Sequence, residues 1–126
     1  MLVIEWLNER LEGITPEDLQ KFMPKEEVDP TKERVVGEVP EDLRPLYVLA
    51  MFHRLREQEL RARIMTIMLV TGSPDEELMS KAADEDMQAD GFLGLFWVIL
   101  RDTMNLWKAE CIGVRKGWKV VVVDRR

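Results

Sequence analysis

Cysteine and histidine each occur once in the 126 residues, as Cys111 and His53. A lone cysteine cannot close an intramolecular disulfide, so the chain reads as a protein of a reducing cytoplasm. A lone histidine excludes the helical di-iron pattern, which takes a Glu-x-x-His from each of two helices. A zinc site would need ligands from across a dimer. The longest uncharged runs, residues 64–74 and 91–100, fall far short of the roughly 18 needed to span a bilayer. The first residues, MLVIEWLNERLE, lack a basic leader and a small-residue cleavage site, so no signal peptide is expected. There is no Gly-rich phosphate loop, nucleophile elbow, Cys-x-x-Cys or defensible Ser/His/Asp arrangement. Asn and Gln are confined to Asn8, Asn105, Gln20, Gln58 and Gln88 while charged residues reach 33%, a thermophile-like balance that eight methionines oppose.

What is present is a helical, apolar and acidic chain. Hydrophobic residues make up 46%, enough for a single domain of this length to bury about two-thirds of its unfolded surface. The net charge of −6 favours solubility and argues against a nucleic-acid partner. It is unevenly spread. Residues 75–90 hold seven acids and one lysine, and residues 114–126 five bases and one acid.

Residues 46–70 predict the longest helix: no Pro or Gly interrupts them, and Leu, Met, Ala, Glu and Arg dominate. At 3.6 residues per turn Leu46, Leu49, His53, Leu60, Ile64 and Ile67 share a face, with Ala50, Glu57 and Met68 at its edge. Both ends are apolar nearly all round and are expected to be covered. The middle is a charged collar of Arg54, Arg56, Glu57, Glu59, Arg61 and Arg63.

Before this helix, Leu2, Val3, Trp6, Leu7 and Leu11 suit a short amphipathic helix, or a strand over residues 2–6. Gly13 ends it, and Thr15-Pro16 starts a second short helix. Residues 24–40 form a connector in which residues 34–39 are the candidate strand. Pro45 belongs in the first turn of the long helix, with a separate helical turn at residues 40–43. After Thr71-Gly72, Ser73-Pro74 predicts the cap of an acidic helix over residues 75–89. Asp90-Gly91 is expected to be a turn. A second long helix is expected over residues 92–112, striped by Leu93, Trp97, Leu100, Met104, Trp107 and Cys111, widened by Phe92, Phe96 and Ile99, and ended by Gly113. Residues 118–124 predict a strand whose four consecutive valines require burial on both faces. Its expected partner is residues 35–39, with the N-terminal residues or a second subunit as alternatives.

The fold expected is mainly α: a small helical bundle with two long antiparallel helices, a shorter acidic helix between them, and a short two-stranded β element involving the C-terminus. The candidate site is His53 with Glu57, one turn apart, as a metal-ligand or acid–base pair. Glu110 and Cys111 would join them from the second long helix. The competing and preferred reading is a packing histidine, hydrogen-bonded to one carboxylate or carbonyl, with Glu57 tied to Arg61. Asp84, Asp86 and Asp90-Gly91 resemble a calcium loop, but Ala89 stands where glycine is needed and Leu95 where the bidentate Glu belongs. Arg115, Lys116, Trp118, Lys119, Arg125 and Arg126 mix bases with an aromatic as nucleic-acid binders do, yet also suit a strand with solvated charges. Cys111 reads as a core filler. No cofactor and no catalytic residue is implied. The function expected is a non-catalytic interaction protein or small accessory subunit that pairs with itself. The alternatives are a metal-binding protein or enzyme using His53 and Glu57, and a regulatory module binding nucleic acid through the basic C-terminal segment.

Overall fold

The computed structural model of this chain describes residues 16–123. The helix or strand expected near residues 2–11, the Thr15 cap, and residues 124–126 lie outside that range. The elements are α1 (Pro16–Lys21), β1 (Glu33–Glu38), a 3-10 turn (Glu41–Leu43), α2 (Arg44–Thr71), α3 (Glu76–Thr103), β2 (Ile112–Arg115) and β3 (Lys119–Val123). The architecture is mainly α, two long antiparallel helices packed along their length, with a small antiparallel sheet at one end.

α2 runs as its composition requires. Pro45 lies in its first turn, after the 3-10 turn of Glu41–Leu43. At its end Gly72 takes the left-handed conformation (φ 76°) and donates its N–H to Met68 O at 2.8 Å, the usual way a helix closes. A four-residue corner leads to α3. Its cap is Asp75, not Ser73: the Asp75 carboxylate accepts from Leu78 N at 3.1 Å.

α3 replaces two expected helices with one. The acidic helix and the second long helix are continuous through Asp90-Gly91. The physical reason is phase. Leu78, Ala82, Glu85, Ala89, Phe92 and Phe96 follow one another at alternating intervals of four and three, so one stripe passes through the dipeptide unbroken. Packing along that stripe outweighs the roughly 1 kcal/mol that a helical glycine costs. The stripe is also rotated from expectation: Phe92, Phe96 and Leu100 are its buried centre, with Leu93 and Trp97 at the margin.

The second correction is where α3 stops. It ends at Thr103 and not at Gly113. Asn105 adopts the left-handed conformation (φ 55°), Leu106 N reaches Arg101 O at 2.8 Å, and Asn105 N reaches Asp102 O at 3.3 Å. This is a Schellman closure in which Asn takes the place of glycine. The Arg101 guanidinium then holds the following segment by donating to Leu106 O (3.0 Å) and Ala109 O (2.7 Å).

The residues released from the helix supply a strand that the sequence reading omits. The sheet has three strands in the order β1-β3-β2, both pairings antiparallel. β3 pairs with β1 as expected, Val35 opposite Val121, with a bulge between Val35 and Gly37. β2 closes its other edge, Val114 opposite Val120. A central strand explains the valines: Val120 and Val121 are fully buried. Trp118 belongs to the β2–β3 turn and carries φ 59°. That conformation costs a branchless L-residue roughly 1–2 kcal/mol. Burying an indole removes roughly 150–250 Å² from water, which at about 25 cal/mol per Å² outweighs the strain. The ring meets Tyr47 edge-on at 5.5 Å, and the Trp118 carbonyl accepts from Val39 N at 2.8 Å.

The core therefore sits where the sheet meets the roots of the hairpin: Val39, Leu43, Leu46, Leu49, Ala50, Phe96, Leu100, Val114, Trp118 and Val120, with Phe22 edge-on to Phe52. Beyond Glu57 no residue of α2 is fully buried. Among the described residues the apolar C-terminal end of α2, expected to be covered all round, stays open on the side away from α3. Leu69 is 84% exposed and Val70 81%.

Candidate functional site

Two features of the hairpin are candidates: a polar layer in its middle and an apolar surface on its far half.

The polar layer arises because both helical stripes change character at the same level. On α2 the stripe reads Ala50, His53, Glu57, Leu60; on α3 it reads Ala82, Glu85, Ala89. His53 and Glu57 are buried, so each needs a partner. The Glu85 carboxylate accepts from His53 Nδ1 at 2.6 Å. The imidazole stacks on Phe92 with centroids 5.5 Å apart and meets Phe52 edge-on. Glu57 accepts from Arg54 Nη1 at 2.5 Å and Arg61 Nε at 2.9 Å. Arg54 extends to Asp86 (2.5 Å) and to Asp90 across the hairpin. Arg56 Nε lies 3.5 Å from the second Glu85 oxygen. Among the described residues no buried side-chain nitrogen or oxygen lacks a hydrogen-bond partner.

The electrostatics follow from those contacts. The Arg54 guanidinium, hydrogen-bonded to Asp86, holds that carboxyl below its usual range. Asp86, then Glu57 and Asp90, raise the affinity of Arg54 for its proton. Three guanidiniums face four carboxylates, and every charge has an opposite neighbour. Such a layer fixes which residues of α2 oppose which of α3, the best-attested use of buried polar groups in helix pairs.

The expected pairing of His53 with Glu57 is not what the layer contains. His53 goes to Glu85, and Glu57 is occupied by two arginines, Arg61 among them as the packing reading required. Glu85 does not stand out in the sequence because it is one of seven acids in residues 75–90. The four-three spacing through Leu78, Ala82, Glu85 and Ala89 places it in the seam. Glu110 and Cys111 lie between α3 and β2, not on a helix. Glu110 is exposed, and the Cys111 carbonyl accepts from Val123 N at 3.2 Å. Among the described residues no three His, Cys, Asp or Glu side chains form a group able to hold a metal ion.

Beside the polar layer one face of the hairpin opens into a groove of about 580 Å³, edged by Arg56, Glu59, Arg63, Lys81, Asp84 and Glu85. Its charges alternate in sign, so no single sign of ligand charge is selected. In the basic C-terminal segment, Arg115 is tied to Glu33 (Nε to Oε1, 3.1 Å), and Lys116 lies 4.0 Å from Glu27. Trp118 is buried, which removes the aromatic face that a base would stack on. Arg125 and Arg126 lie outside the described residues.

The apolar surface is the second feature. Met65 is 61% exposed and Met87 72%; Met68, Leu69, Val70 and Met79 are also exposed. Among the described residues no helix is long and apolar enough to cross a membrane. Family models, curated proteins and solved structures, compared with this chain, contain no match.

Proposed function

We propose that this chain is a non-catalytic interaction protein or small accessory subunit of the cytoplasm, and that it associates with itself through the far half of its helical hairpin. The observation carrying this reading is the exposure of large apolar side chains on that half, where Leu69 (84%), Val70 (81%) and Met87 (72%) are the most open of the large apolar residues described. Single exposed apolar residues are ordinary, and side chains this large left this open are where a partner would gain most by covering them. The polar layer supports the same reading. Its carboxylates and guanidiniums neutralise one another across the hairpin and hold two helices in register, a structural use of residues that would otherwise suggest chemistry.

Light scattering on the purified protein at micromolar concentration tests it. The chain mass is 14.8 kDa, so a self-paired protein scatters at about 30 kDa or more. A mass that stays near that of one chain at all concentrations overturns the self-association reading. A stoichiometric transition metal in the purified protein, lost on His53→Gln, would move the function to metal binding.

A further inference from the structure

The polar layer divides the hairpin into two unlike halves. On its sheet side α2 buries Leu46, Leu49 and Ala50 and α3 buries Phe92, Phe96 and Leu100, all within the core that the sheet closes. On its far side the seam between the helices is thin. Residues 58–71 of α2 have no buried member, and residues 76–84 of α3 have Leu78 and Ala82 alone. Leu60, Ile64 and Ile67 of the α2 stripe stay half-buried.

The far seam is also incompletely closed. The groove of about 580 Å³ enters it, bordered by Leu60 and Arg63 from α2 and by Leu78, Lys81 and Asp84 from α3. Lining atoms without a partner across a gap lose their dispersion contacts. Every ion pair that joins α2 to α3 among the described residues lies in the layer: Arg54 with Asp86 and Asp90, and His53 and Arg56 with Glu85. Beyond it Lys81 pairs with Glu77 of its own helix. The far end of α2 adds little intrinsic strength. The Thr66 and Thr71 hydroxyls donate to the carbonyls of Ala62 (3.1 Å) and Ile67 (2.8 Å), back-bonds that slightly weaken a helix. Helical stretches shorter than about 12–15 residues are marginal in water without packing.

We propose that the far arm of the hairpin, from Leu60 through the corner to Asp84, opens and closes as one unit while the head stays folded, and that the polar layer is the line at which opening stops. The arm acts as a unit because its two strands of helix are held by one shared seam, so that separating them strips both at once. Contiguous segments with few buried apolar contacts are those that open below the global unfolding free energy. Opening presents Leu60, Ile64, Leu78 and Ala82 together to solvent or to a partner. The proposal stands apart from the self-association reading, whose test is the solution mass.

Hydrogen exchange read by mass spectrometry on the full-length protein tests it. The helical amides of residues 60–71 and 79–84 should share one opening constant. It should exceed that of residues 48–57 and 91–100 by about 100-fold or more and respond only weakly to low urea, because little surface is exposed. Arg54→Met removes the bonds to Asp86 and Asp90 and should bring residues 85–90 into the fast class. An arm protected as strongly as the head, whatever covers it, overturns the proposal. Protection that grades away from the corner with no shared value is end fraying and also overturns it. A fast arm in Arg54→Met with residues 85–90 still slow overturns the layer as the line of arrest.

Discussion

Replacing His53 with leucine tests whether the polar layer is structural. The substitution removes the Nδ1–H that Glu85 accepts at 2.6 Å. Glu85 is then left with Arg56, 3.5 Å away and itself 55% exposed. Leaving a largely buried acceptor without its partner costs roughly 1–3 kcal/mol. The residual contact with Arg56 and the open groove beside it place this case toward the lower end. Leu fills the space against Phe52 and Phe92, so no cavity offsets the comparison. Glu85→Leu alone removes the acceptor and leaves an imidazole short of one partner, again roughly 1–3 kcal/mol. The double substitution removes both groups and should return close to the parent, because neither is then buried unpaired. Urea denaturation of the four proteins at one fixed chain concentration gives the cycle. In a domain of this length each kcal/mol moves the melting temperature by about 3–4 °C. A double variant whose loss equals the sum of the two single losses would refute the pairing of His53 with Glu85.

Three further outcomes follow from the fold. Gly91 is helical, exposed and has open space where a Cβ would stand, so Gly91→Ala should stabilise by about 0.5–1 kcal/mol in thermal denaturation; destabilisation would mean that the Asp90-Gly91 step is not helical. Truncation before Lys119 removes the central strand with its fully buried Val120 and Val121, each worth about 1.5–3 kcal/mol, and should leave a protein without a cooperative thermal transition. The Glu33 carboxyl is held below the usual glutamate range by its hydrogen bond from Arg115 and then by that from the Asp29 N–H; this stabilisation is complete above the unfolded pKa and is lost as pH falls through the lower, folded value. Stability should therefore decline below about pH 4.5 less steeply in Glu33→Gln than in the parent, and equal slopes would contradict the assignment.

Much of this fold can be read from the residues, and the departures have identifiable causes. α2 is legible because its propensity, its stripe and its closing Gly72 agree. The pairing of β1 with β3 is legible because four successive valines require two neighbours and the chain offers few. The division of α3 is misread because Asp90-Gly91 has the chemistry of a turn, and local chemistry yields there to a stripe that stays in phase on both sides. Its true end is misread because Asn105, not a glycine, supplies the left-handed residue. That error hides β2, whose four residues IGVR fall inside or just beyond the helix expected in their place. The site was half legible. His53 and Glu57 stand out as polar residues on an apolar face, but their partners depend on how α2 and α3 align, and Glu85 becomes visible only once both seams are laid side by side. The surplus of apolar surface on α2 was legible throughout; which part of it the chain itself covers was not.

The most direct measurement is the solution mass of a variant carrying Met65→Glu and Leu69→Glu, set against the parent under identical conditions. Both side chains are exposed, so the chain should fold with an unchanged circular dichroism spectrum. At an apolar self-association surface each new carboxylate would be taken out of water, which costs far more than leaving it solvated. The account predicts a parent of about 30 kDa, twice the 14.8 kDa chain, and a folded variant at the mass of one chain. A parent and a variant that share the same oligomeric mass would place the interface elsewhere and contradict it.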